Sequence, residues 1–278
     1  MNYRHAFHAG NFADLVKHAV LLDILAAMTG DGPPLTVIDT HAGAGMYDLD
    51  GEAARRTGEA ALGVRRLRGQ TPAPAAFAPL LAAVRQANAS ETLRYYPGSP
   101  VLIAKAMRRG DRYLACELHP EDHAVLSSVL GSDTRCEVLH GDGWRNARAR
   151  LPPAPAACLL LLDPPFEQGD DMAQAVALAA EALAHNRPTV VAIWLPIKDL
   201  AGYDAFLCDL EDAVGAAPIL AIQVRLRPLT DPMKLNGCAL VVVNAPPGLQ
   251  ASASVIAQWV AAAAGGPGAL GRADWLGR

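Results

Sequence analysis

The sequence has little charge, few aromatic residues and no closely paired cysteines. Charged residues make up 19% and aromatic residues 5% of its 278 residues, whereas 51% are hydrophobic. This composition excludes a disordered or fibrous chain and predicts one large domain over residues 1–278, with room for an insert. The five cysteines are widely spaced and never form a Cys-x-x-Cys pair. Neither a disulfide framework nor a zinc site is indicated, and the reducing cytoplasm is the expected location.

Long apolar runs are missing as well. The first fourteen residues contain no apolar run of the length that a signal peptide needs. The uncharged residues 235–271 are interrupted by Asn, Pro, Gln and Ser, which are costly in a bilayer. We therefore expect no membrane partner, and we interpret this stretch as a strand, a loop and a surface helix.

The apolar pattern predicts an α/β fold. Helical spacing between Asn11 and Met28 predicts an amphipathic helix with Asn11 as its N-cap. Short apolar runs predict buried parallel strands at 35–39, 112–117, 136–142, 158–163 and 189–196, with helices between them at 101–108, 120–130 and 171–185. The alternation predicts a doubly wound, mostly parallel sheet, and the runs 219–228 and 239–247 predict a terminal antiparallel hairpin.

The positive charge is concentrated in one segment. Residues 51–110 contain ten Lys or Arg against three Glu, a net charge of +7, so the other residues carry −11 of the total of −4. This asymmetry is typical of a surface that contacts a polyanion, although a solvated helical face would give the same count. Because a doubly wound fold places one helix between its first two strands, residues of about 50–95 are predicted to form an inserted basic helical subdomain.

The ends of the first three predicted strands carry a Gly-rich turn and acidic residues. The turn runs from Asp39 through Gly43 to Gly45, and Glu117 and Asp142 end the next two strands. Glycines let a ligand approach the backbone, and carboxylates accept hydrogen bonds from a ribose diol or an adenine amino group. The third glycine of a dinucleotide fingerprint is absent, and acids also cap helices. Together the three strand ends favour a nucleotide-like ligand.

The most informative segment is Asp163-Pro164-Pro165-Phe166 at the end of the fourth strand. The two prolines restrict the backbone and leave its carbonyl oxygens without competing donors. Asp163 and the Pro164 carbonyl can accept hydrogen bonds from an exocyclic amine while Phe166 stacks on the ring that carries it. The segment therefore predicts a site for a planar, amino-bearing base.

The motifs together resemble the family of 23S ribosomal RNA adenine-N6 methyltransferases called RlmJ, which are class I S-adenosylmethionine-dependent enzymes with a Rossmann-like sheet. The resemblance covers essentially the whole chain. The N-terminal run continues through Asp14, Lys17 and His18. The motifs that carry the resemblance are YRHAFHAGN (3–11), DTHAGAG (39–45), RTGEA (56–60), YPGSP (96–100), CELHP (116–120), HGDGW (140–144), LLDPPFE (161–167) and LNG (235–237).

The resemblance implies direct methyl transfer from S-adenosylmethionine, leaving S-adenosylhomocysteine, to N6 of a flipped adenine without a metal or a covalent intermediate. Catalysis is then expected from Asp163, Pro164 and Phe166, with Asp163 either accepting the released proton or only orienting the amine. The implied cofactor contacts are His18, His41, Gly43, Ser99, Glu117, Asp142, Gly143 and Asp163. Substrate contacts are expected from Tyr3, His5, Lys17, Arg55, Arg56, Arg65, Arg66 and Arg68, the arginines binding phosphates.

Other functions compete with this one. An adenine-N6 methyltransferase acting on DNA is possible because the D-P-P-aromatic loop binds a base and not its sugar. A noncatalytic RNA-binding module would explain the basic segment but leave the Asp163 loop without a role. An NAD-dependent oxidoreductase is disfavoured by the incomplete glycine fingerprint. The expected form is a monomer that acts on naked or partly assembled 23S RNA, because base flipping needs an accessible strand.

Overall fold

The structure is a computed structural model that describes residues 4–30, 32–69, 73–89, 92–229 and 236–277. Its strands are β1 (Leu35–Asp39), β2 (Met46–Asp48), β3 (Tyr95–Pro97), β4 (Arg112–Glu117), β5 (Cys136–His140), β6 (Ala157–Leu162), β7 (Val190–Ile197), β8 (Ile219–Arg225), β9 (Gly237–Val243) and β10 (Leu270–Trp275). Its α-helices are α1 (Phe12–Met28), α2 (Glu52–Thr57), α3 (Val64–Arg68), α4 (Ala78–Ala87), α5 (Ser99–Ala106), α6 (Pro120–Leu130), α7 (Gly143–Arg148), α8 (Asp171–His185), α9 (Leu200–Val214) and α10 (Leu249–Ala264).

Eight strands form one sheet in the order β10-β8-β9-β7-β6-β1-β4-β5. The five strands from β7 to β5 pair in parallel, which confirms the predicted parallel sheet. In this register Asp39 lies between Leu161 of β6 and Ala115 of β4. The carboxyl ends of β6, β1 and β4 therefore lie side by side, and the loops that follow them meet at one edge of the sheet.

The predicted antiparallel end is confirmed and is larger than a hairpin. β9 pairs antiparallel with both β7 and β8, and β10 adds a third antiparallel strand at the edge. Strand β10 lies at the edge of the sheet next to β8, and most of its side chains are partly or fully exposed. Its sequence, LGRADW, therefore contains no apolar run. The expected surface helix is α10, which buries one face against α1 and the sheet.

Helix α1 begins where the sequence predicts it, since the side chain of Asn11 accepts a hydrogen bond from the backbone N–H of Asp14. The predicted polar face is wrong for the first half of the helix, where every residue from 12 to 21 is buried. One side of this half packs on the core and the other carries Asp14, Lys17 and His18, at i, i+3 and i+4. The polar face is therefore buried inside the protein and lies close to the carboxyl ends of the strands.

Helices α2, α3 and α4 occupy residues 52–87, between β1 and β4. Val64, Leu67, Phe77 and Leu80 are fully buried in the same core as α1 and α10, so the segment is packed onto the main body. The sequence did not predict the small antiparallel pair of β2 and β3, which brackets the segment and returns the chain to α5. None of the helices in the described part of the chain combines the length and apolar character that crossing a bilayer requires.

Candidate active site

Two cavities lie next to each other at the carboxyl edge of the parallel strands. The β1–β4 cavity is lined by His5, Lys17, His18, His41, Ala42, Gly43, Tyr47, Gly98, Ser99, Glu117, Leu118, His119, Asp122, Asp163 and Pro165. The β6–β7 cavity is lined by His5, His8, Asn11, Ala13, Asp14, Lys17, Asp163, Pro164, Pro165, Phe166, Trp194, Pro196 and Lys198. His5, Lys17 and Asp163 face both cavities. A molecule in one cavity would therefore meet a molecule in the other at these side chains.

The Gly-rich turn forms one wall of the β1–β4 cavity. Gly43 adopts a positive φ of 69°, and a Cβ at this position would collide with the hydroxyl of Tyr47. That hydroxyl accepts a hydrogen bond from the N–H of Ala44 at 3.2 Å. The N–H of Gly43 donates to Oε2 of Glu117 at 2.8 Å, and the N–H of His119 donates to Oε1 at 2.6 Å. Glu117 thus holds the turn, and burial raises the pKa of its carboxyl.

Histidine side chains form uncharged walls of the same cavity. His18 is fully buried, with Nδ1 at 2.7 Å from the hydroxyl of Tyr96 and Nε2 at 3.2 Å from Oγ of Ser99. Burial lowers the pKa of His18 to about 3 and that of His41 to about 4. Both rings are therefore neutral at pH 7 and present a weakly polar surface to a ligand.

A buried ion-pair network separates the two cavities. Nζ of Lys17 lies 2.6 Å from Oδ2 of Asp163 and 3.1 Å from Oδ1 of Asp14. Asp14 also accepts a hydrogen bond from the N–H of Gly10 and lies 3.0 Å from Nε2 of His5. Burial alone would lower the pKa of Lys17, but Asp163 and Asp14 outweigh it and keep the ammonium charged. Oδ1 of Asp163 has no partner among the described residues.

Asp39 is a further buried carboxyl next to this network. Its Oδ2 accepts a hydrogen bond from the hydroxyl of Tyr113 at 3.0 Å, and its Oδ1 accepts one from the N–H of His41 at 3.2 Å. Burial, with repulsion from Asp163, raises the pKa of Asp39 to about 7. The carboxyl is therefore partly protonated near neutral pH.

The walls of the β6–β7 cavity are apolar and rigid. Phe166 has a positive φ of 52°, a backbone conformation that costs about 1–3 kcal/mol in a non-glycine residue and is typical of functional loops. Its ring packs against the indole of Trp194 with the ring centroids 6.0 Å apart. With Pro164 and Pro196, these rings form a surface suited to a flat apolar or aromatic group.

The structure places most of the expected site residues at these cavities. His18, His41, Gly43, Ser99, Glu117 and Asp163 line the β1–β4 cavity, and Asp163, Pro164 and Phe166 line the other. Asp142 and Gly143 line neither. Asp142 caps α7 through Oδ1, and a Cβ at Gly143 would collide with the carbonyl of Thr40, so both have a local packing or capping role. Tyr3 lies outside the described residues.

The five arginines expected to bind phosphate all lie on α2 and α3, and none of them lines either cavity. Arg55 and Arg66 are exposed, and Arg56 lies over the ring of Phe7 at 5.6 Å. Arg65 is paired with Asp50 at 2.8 Å and donates to the carbonyl of Leu93, so much of its hydrogen-bonding capacity is used within the protein. Arg68 is partly buried.

Asp14, Tyr47, Trp194 and Lys198 are among the cavity-lining residues to which the sequence assigned no role. Asp14 could have been found, since it shares one helix face with Lys17 and His18. Tyr47, Trp194 and Lys198 had no local signal, because each reaches the site through long-range packing. The described residues contain no group of three or more His, Cys, Asp or Glu that could hold a metal ion.

Comparisons with known proteins cover nearly the whole chain. A family model described as Ribosomal RNA large subunit methyltransferase D, RlmJ, matches residues 32–277. A relative from Escherichia coli named Ribosomal RNA large subunit methyltransferase J is 35% identical over 94% of this chain and 92% of its own. One of the same name from Haemophilus influenzae is 35% identical over 88% of each chain. The crystal structure of protein LPL1258 from Legionella pneumophila superposes with a TM-score of 0.88, at 27% identity over 96% of this chain and 98% of that one.

Proposed function

The chain belongs to the RlmJ family of ribosomal RNA large subunit methyltransferases, and from this premise we propose that it methylates N6 of an adenine in 23S ribosomal RNA. It is an S-adenosylmethionine-dependent enzyme with the class I methyltransferase fold. The observation that carries the choice of adenine N6 is the position of Asp163, which faces both cavities from a rigid loop that ends in Phe166.

The β1–β4 cavity fits the adenosyl cofactor. The absence of a Cβ at Gly43 lets a ligand approach the turn, and the Glu117 carboxylate is in reach of a ribose diol. The neutral rings of His18 and His41 and the side chain of Leu118 supply walls for uncharged parts of the ligand. When bound there, S-adenosylmethionine supplies a methyl group on a sulfonium and is released as S-adenosylhomocysteine.

The β6–β7 cavity is assigned to the target adenine. Oδ1 of Asp163 and the carbonyl of Pro164 accept hydrogen bonds from the N6 amino group, and Phe166 packs against the ring. These bonds favour a nitrogen whose lone pair points away from the ring plane, toward the β1–β4 cavity. Asp163 is held by Lys17 through its other oxygen, so the residue has a defined orientation before the base arrives.

The ammonium of Lys17 also bears on the role of Asp163. Burial raises the pKa of the Asp163 carboxyl, and the positive charge 2.6 Å away offsets only part of that rise. The contact with Lys17 supports an orienting role for Asp163, and its raised pKa favours the same carboxylate as the acceptor of the proton released on methyl transfer. His18 has a lowered pKa and hydrogen-bonds Tyr96, so it is not suited to accept that proton.

The exposed arginines Arg55, Arg56 and Arg66, with Arg65 and Arg68, form the proposed phosphate-binding surface. We also propose that the protein acts as a monomer. Naked or partly assembled RNA in the cytoplasm is the proposed substrate, because the target base must leave its stack to enter the β6–β7 cavity.

The test incubates the protein with methyl-labelled S-adenosylmethionine and, in parallel, unmodified 23S RNA, 16S RNA, duplex DNA or intact large ribosomal subunits. The nucleosides are then digested and separated. We expect label in N6-methyladenosine from 23S RNA, little from the intact subunit, and none with Asp163→Ala. Label in DNA would transfer the assignment to a DNA methyltransferase, and label in another nucleoside would refute adenine N6 as the acceptor.

A further inference from the structure

The outer part of the β6–β7 cavity carries a cation to which no role has been assigned. Trp194, Pro196 and Lys198 alternate along the end of β7 and all line this cavity, as expected for residues on one face of an extended segment. Lys198 is exposed, and its ammonium has no hydrogen-bond or ion-pair partner among the described residues. The other ammonium at the cavity, Lys17, is buried between two carboxylates. Of these two, Lys198 is therefore the one available to an incoming anion.

The backbone of Lys198 is held in place from both sides. Nδ2 of Asn236 donates to the carbonyl of Lys198 at 3.0 Å, and the N–H of Asn236 donates to the carbonyl of Ile197 at 3.2 Å. On the other side, Asp199 caps α9 by accepting a hydrogen bond from the N–H of Gly202. Asn236 is fully buried, so its two hydrogen bonds to this segment are at least partly shielded from water.

The LNG motif acquires a role from this contact. Gly237 follows Asn236 at the start of β9, where a Cβ would collide with the carbonyl of Val224 on β8. The glycine lets β9 fit between β7 and β8, and the asparagine then reaches the end of β7. The two described residues of the motif thus position a segment that lines the base cavity, although both lie 70 or more residues from Asp163 in the chain.

We propose that Lys198 binds a backbone phosphate next to the flipped adenosine and that Asn236 is a positioning residue for it. This inference rests on the proposed function, since it needs a nucleotide in the β6–β7 cavity. The cavity presents Phe166 and Trp194 for a planar base. It also presents an exposed ammonium that no described residue pairs with, and together these match the base and phosphate of one nucleotide. None of the arginines of α2 and α3 lines this cavity, whereas Lys198 does, so the proposed contact of Lys198 is to the target nucleotide itself.

The test measures steady-state methylation of a short 23S RNA fragment that contains the adenosine found to be methylated in the test of the proposed function. Lys198→Ala should raise KM for the RNA about tenfold, because a charge-assisted phosphate contact is lost, while the dissociation constant for S-adenosylmethionine stays within about twofold. Lys198→Arg should retain most of the wild-type KM. Arg187→Ala is the matched control, since it removes one exposed positive charge before the opposite end of β7 and should change KM by less than about twofold.

Two further measurements separate a phosphate contact from a general charge effect. The salt dependence of RNA affinity should weaken in Lys198→Ala, with a slope in log–log form smaller by about 0.7–0.9. RNA fragments with an uncharged methylphosphonate on the 5′ or the 3′ side of the target should also be tested. On one of these two RNAs, the KM of the wild type should be about tenfold higher than on normal RNA. Lys198→Ala should have the same KM on that RNA as on normal RNA.

The outcomes distinguish this inference from the proposed function. If the wild type forms no N6-methyladenosine, the proposed function fails. If the wild type does form N6-methyladenosine, either of two results would refute the phosphate contact. One is that Lys198→Ala has the same KM for RNA as the wild type. The other is that Lys198→Ala raises KM by the same factor on both methylphosphonate RNAs as on normal RNA. If Arg187→Ala raised KM as much as Lys198→Ala, the effect of Lys198 would be one of overall positive charge, and the specific contact would be refuted. For Asn236→Ala, we expect a higher RNA KM at unchanged cofactor affinity, and a loss of thermal stability alone would limit Asn236 to a structural role.

Discussion

The two adjoining cavities are built in different ways. The β1–β4 cavity depends on the backbone: a glycine with positive φ, a turn held by Glu117, and buried histidines without charge. The β6–β7 cavity depends on side chains: an ion pair between Lys17 and Asp163, and two aromatic rings in contact. The difference teaches where each kind of substitution should act. Small changes of backbone geometry should weaken cofactor binding, whereas loss of individual functional groups should weaken chemistry and RNA binding.

The largest effect is expected from Asp163→Ala. Loss of the acceptor for N6 should lower kcat by about 10²–10³, the range found when one preorganised polar contact to a reacting group is removed. The substitution also removes one partner of a buried ion pair, which can cost about 3–5 kcal/mol of stability.

Activity and stability can be separated by removing both partners. The double variant Lys17→Met with Asp163→Leu fills the space of the ion pair with apolar side chains, while Asp14 keeps its contacts with His5 and the N–H of Gly10. It should therefore recover part of the melting temperature lost in Asp163→Ala, but it should recover no activity. If activity returned in the double variant, Asp163 would be needed only for folding.

Phe166 tests the aromatic wall of the base cavity. Phe166→Leu should raise KM for RNA about tenfold, since stacking on a base contributes about 1–3 kcal/mol, and leave cofactor affinity unchanged. Phe166→Tyr keeps the ring and serves as the control. Equal KM values for Leu and Phe at this position would show that the base does not pack on residue 166.

Gly43→Ala tests the backbone dependence of the other cavity, by isothermal titration with S-adenosylhomocysteine. We expect about tenfold weaker binding, because a Cβ here would meet the Tyr47 hydroxyl at a positive φ. Gly58→Ala is a close control: Gly58 has nearly the same positive φ, but nothing lies within 4 Å of its Cβ position. Both variants should lose about 1 kcal/mol of stability. Equal losses of cofactor affinity would contradict the role of the turn.

Asp39 should give the smallest effect, and it is visible in the pH dependence of stability. Burial raises its pKa to about 7 in the folded protein, so between about pH 4 and 7 the folded state holds a proton that the unfolded state releases. This group therefore lowers the free energy of unfolding as pH rises through that window. Asn at this position does not titrate, so Asp39→Asn should gain stability relative to the wild type from pH 5 to pH 8 in chemical denaturation. If the difference in the free energy of unfolding between Asp39→Asn and the wild type stayed constant over this pH range, the raised pKa of Asp39 would be contradicted.

The sequence by itself determined the elements with local signals. The N-cap at Asn11, the parallel strands with continuous apolar runs, and the Asp163 loop all follow from residue type and spacing, and the parallel register brings their carboxyl ends together. The same local reasoning predicted a polar face for α1 but could not show that this face is buried. It also could not separate Glu117, which faces a cavity, from Asp142, which caps a helix.

Only the tertiary structure decided which distant groups meet. Lys17 pairs with Asp163 across 146 residues, and Asn236 reaches Lys198 because β9 lies between β7 and β8. The pair of β2 and β3 was not recognised because each strand has only three residues, and β10 was not recognised because most of its side chains are partly or fully exposed. Hydrophobic periodicity reports the environment of a residue along one element, whereas an ion pair or a cavity wall depends on the order in which the strands are packed.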